Sequence, residues 1–293
     1  LDYMGLNPIQ FETQTETPAF RRRFNKYRYP SSGYTYLGYN LRKALFQDKR
    51  VRQAISYAID ENELIDGVLL GLGQVATGPY KPGSWAYNPE VKTYTYDPER
   101  SRSLLAEAGW QDHDGDGILD KEGKPFSFTI VTNQGNDQRI KSGEIIQRRL
   151  REVGIEVRLR VIEWASFLKE FINPGNFDAT ILGWTIPPDP DSYNVWHSSK
   201  TRPGELNFIQ FRHPEVDELL EKGRRTLSQE ERKKLYDRFQ EILAEEQPYT
   251  FLYVPDALPV VAERFRGIDP APAGIMHNFI EWYVPEGQHK YTR

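Results

Sequence analysis

Phe126-Ser-Phe-Thr-Ile-Val-Thr132, the polar turn Asn133-Gln-Gly-Asn136, the run from Asp137 to Val153, then Gly154 and Ile155-Glu-Val-Arg-Leu-Arg-Val-Ile162 form the most regular stretch of this 293-residue chain. The first run is rich in β-branched and aromatic residues, as a strand requires. From Asp137 the apolar positions Ile140, Ile145, Ile146 and Leu150 recur at helical spacing and are expected to face inward. Gly154 stops the helix, and Ile155 to Ile162 alternates as a second strand. Strand, helix and strand in close succession make a βαβ unit, so a parallel pair with a right-handed crossover is expected. A further helix (Ala165 to Ile172) and a strand (Asp178 to Trp184) extend the same α/β logic.

Upstream, Asp48 is placed to N-cap a helix running through Ile59, with Val51, Ala54, Ile55 and Ala58 on one face. Asp60 begins a second helix, and Glu63 three residues later makes a capping-box pattern. Gly71 and Gly73 end it. Residues 76–96 mix Pro, Gly and aromatics with no helical period and read as a long ordered loop. Asp97-Pro98 opens a helix whose apolar face is Leu104, Leu105 and Ala108. Downstream of Trp184, Thr185-Ile-Pro-Pro-Asp-Pro-Asp191 cannot be regular structure. His213-Pro214 starts one amphipathic helix. Ser228 and Glu231 start another, with Leu235, Phe239, Ile242 and Leu243 inward, and Gln247-Pro248 ends it. Tyr249 to Val254 reads as a strand and the tail from Phe265 as irregular. Residues 1 to 35 read as polar and irregular, with a solvated basic cluster at Arg21, Arg22, Arg23 and Lys26.

Composition narrows the function classes. The 38 Lys+Arg against 42 Asp+Glu give a net charge of -4, without the clustered positive charge that a nucleic-acid surface needs. The length allows about two domains with a full core. Cysteine is absent, which removes disulfides, thiolate zinc sites and cysteine nucleophiles. No apolar run approaches the ~18 residues of a transmembrane helix. The start Leu1-Asp2-Tyr3-Met4 has neither a basic region nor an apolar signal segment, so the chain is expected to begin at a processing site or to be a piece of something longer. Seventeen Tyr, 15 Phe and 6 Trp sit largely among Gly and Pro, Tyr36 and Trp85 included. Such rings either anchor loops or line a binding cleft.

Candidate chemistry is sparse. Asp112, Asp114 and Asp116 at alternate positions, Gly117, then Ile118 with a usable carbonyl, match the first half of a calcium loop. The bidentate Glu expected at the twelfth position is Gly123, so Asp120 or Glu122 would substitute; a structural calcium ion is the one cofactor suggested, against a plain Asp/Gly turn capping its own amides. The five His (113, 197, 213, 277, 289) are scattered. Asp189 and Asp191 follow a strand end, where paired carboxylates could act on a glycoside, though Pro-Asp-Pro-Asp is equally a turn signature. No serine elbow, P-loop or GxGxxG is present. A binding protein fits better than an enzyme. In α/β sheets ligands collect beyond the carboxyl ends of strands. Two such ends are visible: Asn133, Gln134 and Asn136 leading into a helix N-terminus, which suits an acceptor-rich group, and Gly183-Trp184 with the proline-rich turn.

Asp48-Lys-Arg-Val51-Arg52-Gln-Ala54-Ile-Ser-Tyr-Ala58-Ile-Asp60 resembles the FxDxRVRQAxxYAID stretch of family-5 bacterial solute-binding proteins, the dipeptide/oligopeptide-binding type that feeds ABC importers. The similarity continues in order through Tyr96-Asp97-Pro98, Leu104 to Trp110, Asp116-Gly117-Ile118, Gly154-Ile155, Glu163-Trp164, Gly183-Trp184, Asp189-Pro190-Asp191, Asn207, His213 to Asp217 and Glu246-Gln-Pro248. The resemblance implies a periplasmic-binding-protein type II-like lobe, a mixed sheet flanked by helices, as the second lobe of a Venus-flytrap fold with segments of the first. It divides the chain into 1–36 (end of the first lobe's central segment), 37–255 (second lobe) and 256–293 (return to the first lobe). Hinge strands would lie at Tyr36 to Asn40 and Tyr253 to Pro255. Members are commonly about twice this length, so the first lobe's amino-terminal part is expected to be missing.

The implied function is capture of a peptide or similar small solute between lobes and delivery to ABC permease subunits. It would act outside the cytoplasm, periplasmic or lipid-anchored. Trp184 matches the tryptophan lining the peptide slot. The Asp that peptide-binding members often carry three residues later is Pro187 here, with Asp189 two further on. The turn 133–136, basic and aromatic in some dipeptide binders, is neutral. Both departures speak against a zwitterionic short peptide, though not against a longer peptide or another solute. The residues expected to contact the ligand are Trp184, Asn133, Gln134, Asn136, Asp189, Asn207, Trp85 and Tyr36. The alternative is a glycoside-directed enzyme using Asp189 and Asp191.

Overall fold

A computed structural model describes residues 2–271 and 273–290. The strands are β1 (Tyr3–Gly5), β2 (Phe24–Lys26), β3 (Tyr29–Pro30), β4 (Gly33–Tyr39), β5 (Gly73–Val75), β6 (Asp120–Lys121), β7 (Lys124–Pro125), β8 (Ser127–Asn133), β9 (Glu156–Ile162), β10 (Ala179–Thr185), β11 (Tyr249–Ala257) and β12 (Pro259–Ala262). The helices are α1 (Pro8–Thr13), α2 (Pro18–Arg21), α3 (Lys49–Ala58), α4 (Glu61–Leu69), α5 (Pro98–Glu107), α6 (Asp137–Glu152), α7 (Trp164–Ser166), α8 (Tyr193–Trp196), α9 (Pro214–Arg225) and α10 (Gln229–Glu246).

The main sheet is mixed, in the order β3-β11-β4-β10-β8-β9, with β5 also on β11. β8 runs parallel to β9, with α6 between them, and parallel to β10. This is the expected βαβ arrangement. β4 is antiparallel to both β10 and β11. The carboxyl ends of β8, β9, β10 and β11 therefore share one edge with the start of β4. β1-β12-β2 form a separate small sheet, and β6-β7 a hairpin.

Alternation along β4 sends its side chains to two cores. Leu37 and Tyr39 join Ile55, Ile130, Ile146, Leu150 and Ile181 beneath α3, α4, α5 and α6. Tyr34 and Tyr36 join Trp196, Phe239, Tyr249 and Phe251 on the side of α9 and α10. A register shift between Phe251 and Tyr253 lets β11 place Leu252 and Tyr253 in the first core and Phe251 and Val254 in the second. Ile146 and Leu150 are fully buried, each contributing about 1.5–3 kcal/mol of burial. Ile146→Ala would cost about 2–5 kcal/mol.

Several expectations are corrected. Residues 1–35 are not irregular: they hold β1, α1, α2, β2, β3 and the start of β4. β1 and β2 draw their hydrogen bonds from β12, near the other end of the chain, so no local pattern announces them. A reciprocal capping box occurs at Asn7 and Gln10. At α4, Asp60 accepts from the amides of Asn62 and Glu63, while the Glu63 carboxylate turns to Arg149 at 2.7 Å. The expected helix 165–172 is one turn of α7 followed by a π-helix over 167–172, whose wider turns bury both Phe167 and Ile172. Ile140 and Ile145 are half-buried, with Ser142 and Gly143 beneath α6 instead. On α10, Tyr236 is buried where Leu235 is only partly so. The tail from Phe265 includes a 3-10 segment at Ile275–Glu281. Among the described residues no helix is long and apolar enough to cross a membrane.

Candidate functional site

A row of aromatic rings crosses three neighbouring strands inside the second core and reaches the shared edge at Trp184. Tyr36 of β4 stacks on Tyr249 of β11 at 3.8 Å between ring centres and 13° between planes. The half-buried Trp184 of β10 lies near-parallel to Tyr36 at 6.4 Å between ring centres, and Phe208 is 6.1 Å from Trp184. Tyr36 is wholly buried. Burial pushes its hydroxyl well above the usual phenol range, and the hydroxyl of Tyr34 has no hydrogen-bond partner among the described residues.

Beside this wall, β8 ends in the polar turn read from the sequence. Asn136 caps α6 by accepting from the Arg139 amide at 3.0 Å. The Asn133 amide nitrogen donates to the Gln134 carbonyl at 3.0 Å, and the Gln134 amide donates to the Ile162 carbonyl at 2.7 Å, leaving the Gln134 side chain exposed. The Asn133 side-chain oxygen accepts from Arg139 Nη1 at 2.8 Å. Arg139 was not among the residues expected here. Burial draws its pKa below the ordinary guanidinium value, partly offset by Tyr36 and Tyr253. A signal for it exists in the sequence: it lies in the first turn of a helix, where the macrodipole disfavours a cation.

Trp85 lies in a different part of the edge. With Tyr80, Ser84, Ile186 and Pro187 it lines a cavity of about 280 Å³ against the proline-rich turn. Tyr80 donates to the Pro190 carbonyl at 2.9 Å, and the Ser84 hydroxyl is buried without a partner among the described residues. Asp189 accepts from Arg232 at 2.6 and 3.1 Å, and that guanidinium sits 5.3 Å over the Trp85 ring. Arg232 holds the Asp189 carboxyl below the usual carboxylate range. Asp191 pairs separately with Arg224 at 2.7 Å and caps the Tyr193 amide at 3.0 Å. Each carboxylate is thus bound to its own arginine.

Asn207 lies in the interior. Its amide nitrogen donates to the carbonyls of Trp196, His197 and Phe211, and its oxygen accepts from the Phe211 amide at 3.0 Å, so the group closes the loop 196–211. The carboxylates of Asp112, Asp114 and Asp116 come within 4.8 Å of one another on the surface. Asp112 accepts from the amides of Gly115 and Gly117 at 2.7 and 3.0 Å, and Asp116 from that of Ile118 at 2.7 Å. Asp120 instead faces His113 at 3.0 Å.

Residues 1–205 match the family described as bacterial extracellular solute-binding proteins, family 5. The chain is 38% identical over 255 residues to the oligopeptide-binding protein AppA of Bacillus subtilis, covering 86% of this chain and 47% of that protein. It is 31% identical over 242 residues to heme-binding protein A of Haemophilus influenzae, covering 82% and 42%. The structure of the Bacillus subtilis protein AppA in complex with a nonapeptide superposes with a TM-score of 0.85 at 34% identity, over 98% of this chain and 56% of that one. The chain spans about half the length of these relatives.

Proposed function

The chain belongs to the bacterial extracellular solute-binding proteins of family 5, and on that premise we propose that it forms the solute-capturing half of a receptor serving an ABC importer. The receptor works outside the cytoplasm, in the periplasm or anchored to the cell surface. It holds a peptide or similar small solute between two lobes, releases it unchanged to permease subunits, and is not an enzyme. Residues 37–255 act as one lobe, 1–36 and 256–293 as parts of the other, with the hinge at 36–40 and 253–255.

The observation that carries this proposal is the edge itself: the half-buried Trp184 and the Asn133 turn lie where β10 and β8 end, and the carboxylates of Asp189 and Asp191 are each paired with an arginine. Rings with convergent polar groups bind; they supply no nucleophile. A peptide is favoured because the similar Bacillus subtilis protein was solved with a nonapeptide. For the loop Asp112, Asp114, Asp116, Ile118 and Asp120 we propose a structural calcium site.

Intrinsic tryptophan fluorescence, recorded on the protein in its full natural length against peptide and sugar panels, tests the proposal. Saturable quenching by peptides, lost in Trp184→Phe, supports it. A response to none of the panel, or release of a chemically altered product, contradicts it.

A further inference from the structure

We infer that a cavity beside the start of β11, lined by the carboxyl group of Glu61, binds a small organic ammonium ion. This site is separate from the solute edge and does not depend on the solute-receptor function proposed above. Thr250 and Phe251, at the start of β11, form one wall, whereas the carboxyl end of that strand lies at the edge proposed for the solute. The other walls come from β5 and the irregular stretch 92–96, through Val75, Thr93, Tyr94 and Thr95. The cavity measures about 120 Å³, more room than one water fills.

Glu61 opens α4, behind the cap at Asp60. A carboxylate in the first turn suits the helix dipole, and its own backbone amide donates to it. Neither effect requires burial, since an exposed Glu at the same position keeps both and its water as well. Glu61 is nevertheless only 9% exposed and pairs with no cation among the described residues. Asp256, whose side chain is 7% exposed, has Arg28 at 2.5 Å. A carboxylate taken out of water without a cation is costly. Burial accordingly raises the pKa of Glu61 from 4.5 to about 8, and the Asp60 carboxylate adds to the rise. A side chain that weakens the fold and faces a cavity marks a position held for something other than stability.

The cations of the surrounding elements are committed elsewhere. Lys92, on the cavity wall, pairs with Glu245 of α10 at 3.5 Å and lies 4.9 Å over the Tyr94 ring. Arg149 of α6 pairs with Glu63 at 2.7 Å, stands 4.0 Å from Asp60 and covers the Tyr96 ring at 4.9 Å. The inner polar groups are closed as well. The Ser56 hydroxyl bonds to Gln247 Oε1 at 2.8 Å and to the Thr250 hydroxyl at 2.6 Å, and Tyr94 donates to the Ala244 carbonyl at 2.8 Å. The acceptors open to a ligand are then the Glu61 carboxyl and the exposed Thr93 and Thr95. One carboxylate matches one ammonium charge, whereas a divalent metal ion takes several oxygen ligands of higher total charge. The aromatic and aliphatic walls favour an ammonium that carries carbon.

Calorimetric titration of the protein in its full natural length with ethylammonium chloride, against potassium chloride at equal concentration, tests this. Saturable binding of ethylammonium is expected at pH 8. Its affinity should weaken by a factor approaching about tenfold for each pH unit below that, because a proton competes for the same carboxylate. At pH 7, titrations in two buffers of unlike ionisation heat should show about one proton released per ion bound. Glu61→Gln should abolish saturation, with thermal melts showing that it folds. Lack of saturation, equal saturation by potassium, or unchanged binding in Glu61→Gln overturns the inference. If Glu61→Gln fails to fold, the proton count on the wild type decides: release of about one proton at pH 7 supports the site, and no release overturns it.

Discussion

The indole N–H of Trp184 donates to the hydroxyl of Tyr249 across 3.3 Å, joining β10 to β11 over the intervening strand β4. The Tyr36 ring lies in the row between them. Three strands are thereby tied through side chains in the core behind the edge where the solute is proposed to sit. Such pre-ordering lowers the entropic cost of binding.

Tyr249→Phe removes the acceptor for Trp184 and should cost about 1 kcal/mol, the usual net worth of one hydrogen bond. Urea unfolding measures the loss, and a shift in Trp184 emission should accompany it. An unchanged midpoint would show that the bond contributes nothing.

Gly38→Ala should be more damaging than its size suggests. A Cβ at position 38 would stand 2.9 Å from ring carbons of both Tyr36 and Tyr249, so the stacked pair must part. Overpacking of this kind costs about 1–3 kcal/mol. Denaturation of the variant checks it, and near-ultraviolet circular dichroism should report the disturbed rings.

Glu61, at the start of α4, is buried, and burial raises its pKa from 4.5 to about 8. Below 4.5 the folded and unfolded chains are both protonated and the residue adds no pH dependence. Between 4.5 and about 8 the unfolded chain releases the proton while the folded chain keeps it, so stability falls as pH rises; above 8 the loss is complete. The whole effect is at most roughly 5 kcal/mol at 1.36 kcal/mol per unit. Glu61→Gln should therefore gain stability over wild type at pH 8 but not at pH 4, as thermal melts across that range would show.

Calcium should stabilise the chain through the loop at 112–120. With an affinity near that of extracellular modules, about 1 mM, 10 mM calcium contributes about 1.4 kcal/mol. The rise in melting temperature should vanish with chelator and in Asp114→Asn. A melt insensitive to calcium would leave the loop as a turn closed by its own amides.

What the sequence discloses follows the distance over which each feature is determined. The βαβ unit from Phe126 to Ile162 is legible because its strands, its helix and the stop at Gly154 are written in neighbouring residues. β1 and β2 are not, since their partner β12 arrives from the far end of the chain. Trp184 could be named as a candidate contact from its place at a strand end; Tyr36, named with it, is wholly buried in the core. Tyr249 could not, because its place in the row depends on β4 lying between β10 and β11. Asn207 reads like an exposed recognition amide, yet its hydrogen bonds all close inside the loop 196–211. Arg139 reads like one more solvated arginine of an amphipathic helix. Folding leaves it bonded to the Asn133 side chain, with no carboxylate partner among the described residues.

Reversible capture of a solute is tested most directly by calorimetric titration of the protein in its full natural length with a set of unmodified oligopeptides, followed by mass spectrometry of what is released on unfolding. Saturation at one peptide per protein, with the peptide recovered intact, is the predicted result. Recovery of a cleaved peptide, or no heat of binding with any of the set, would contradict it.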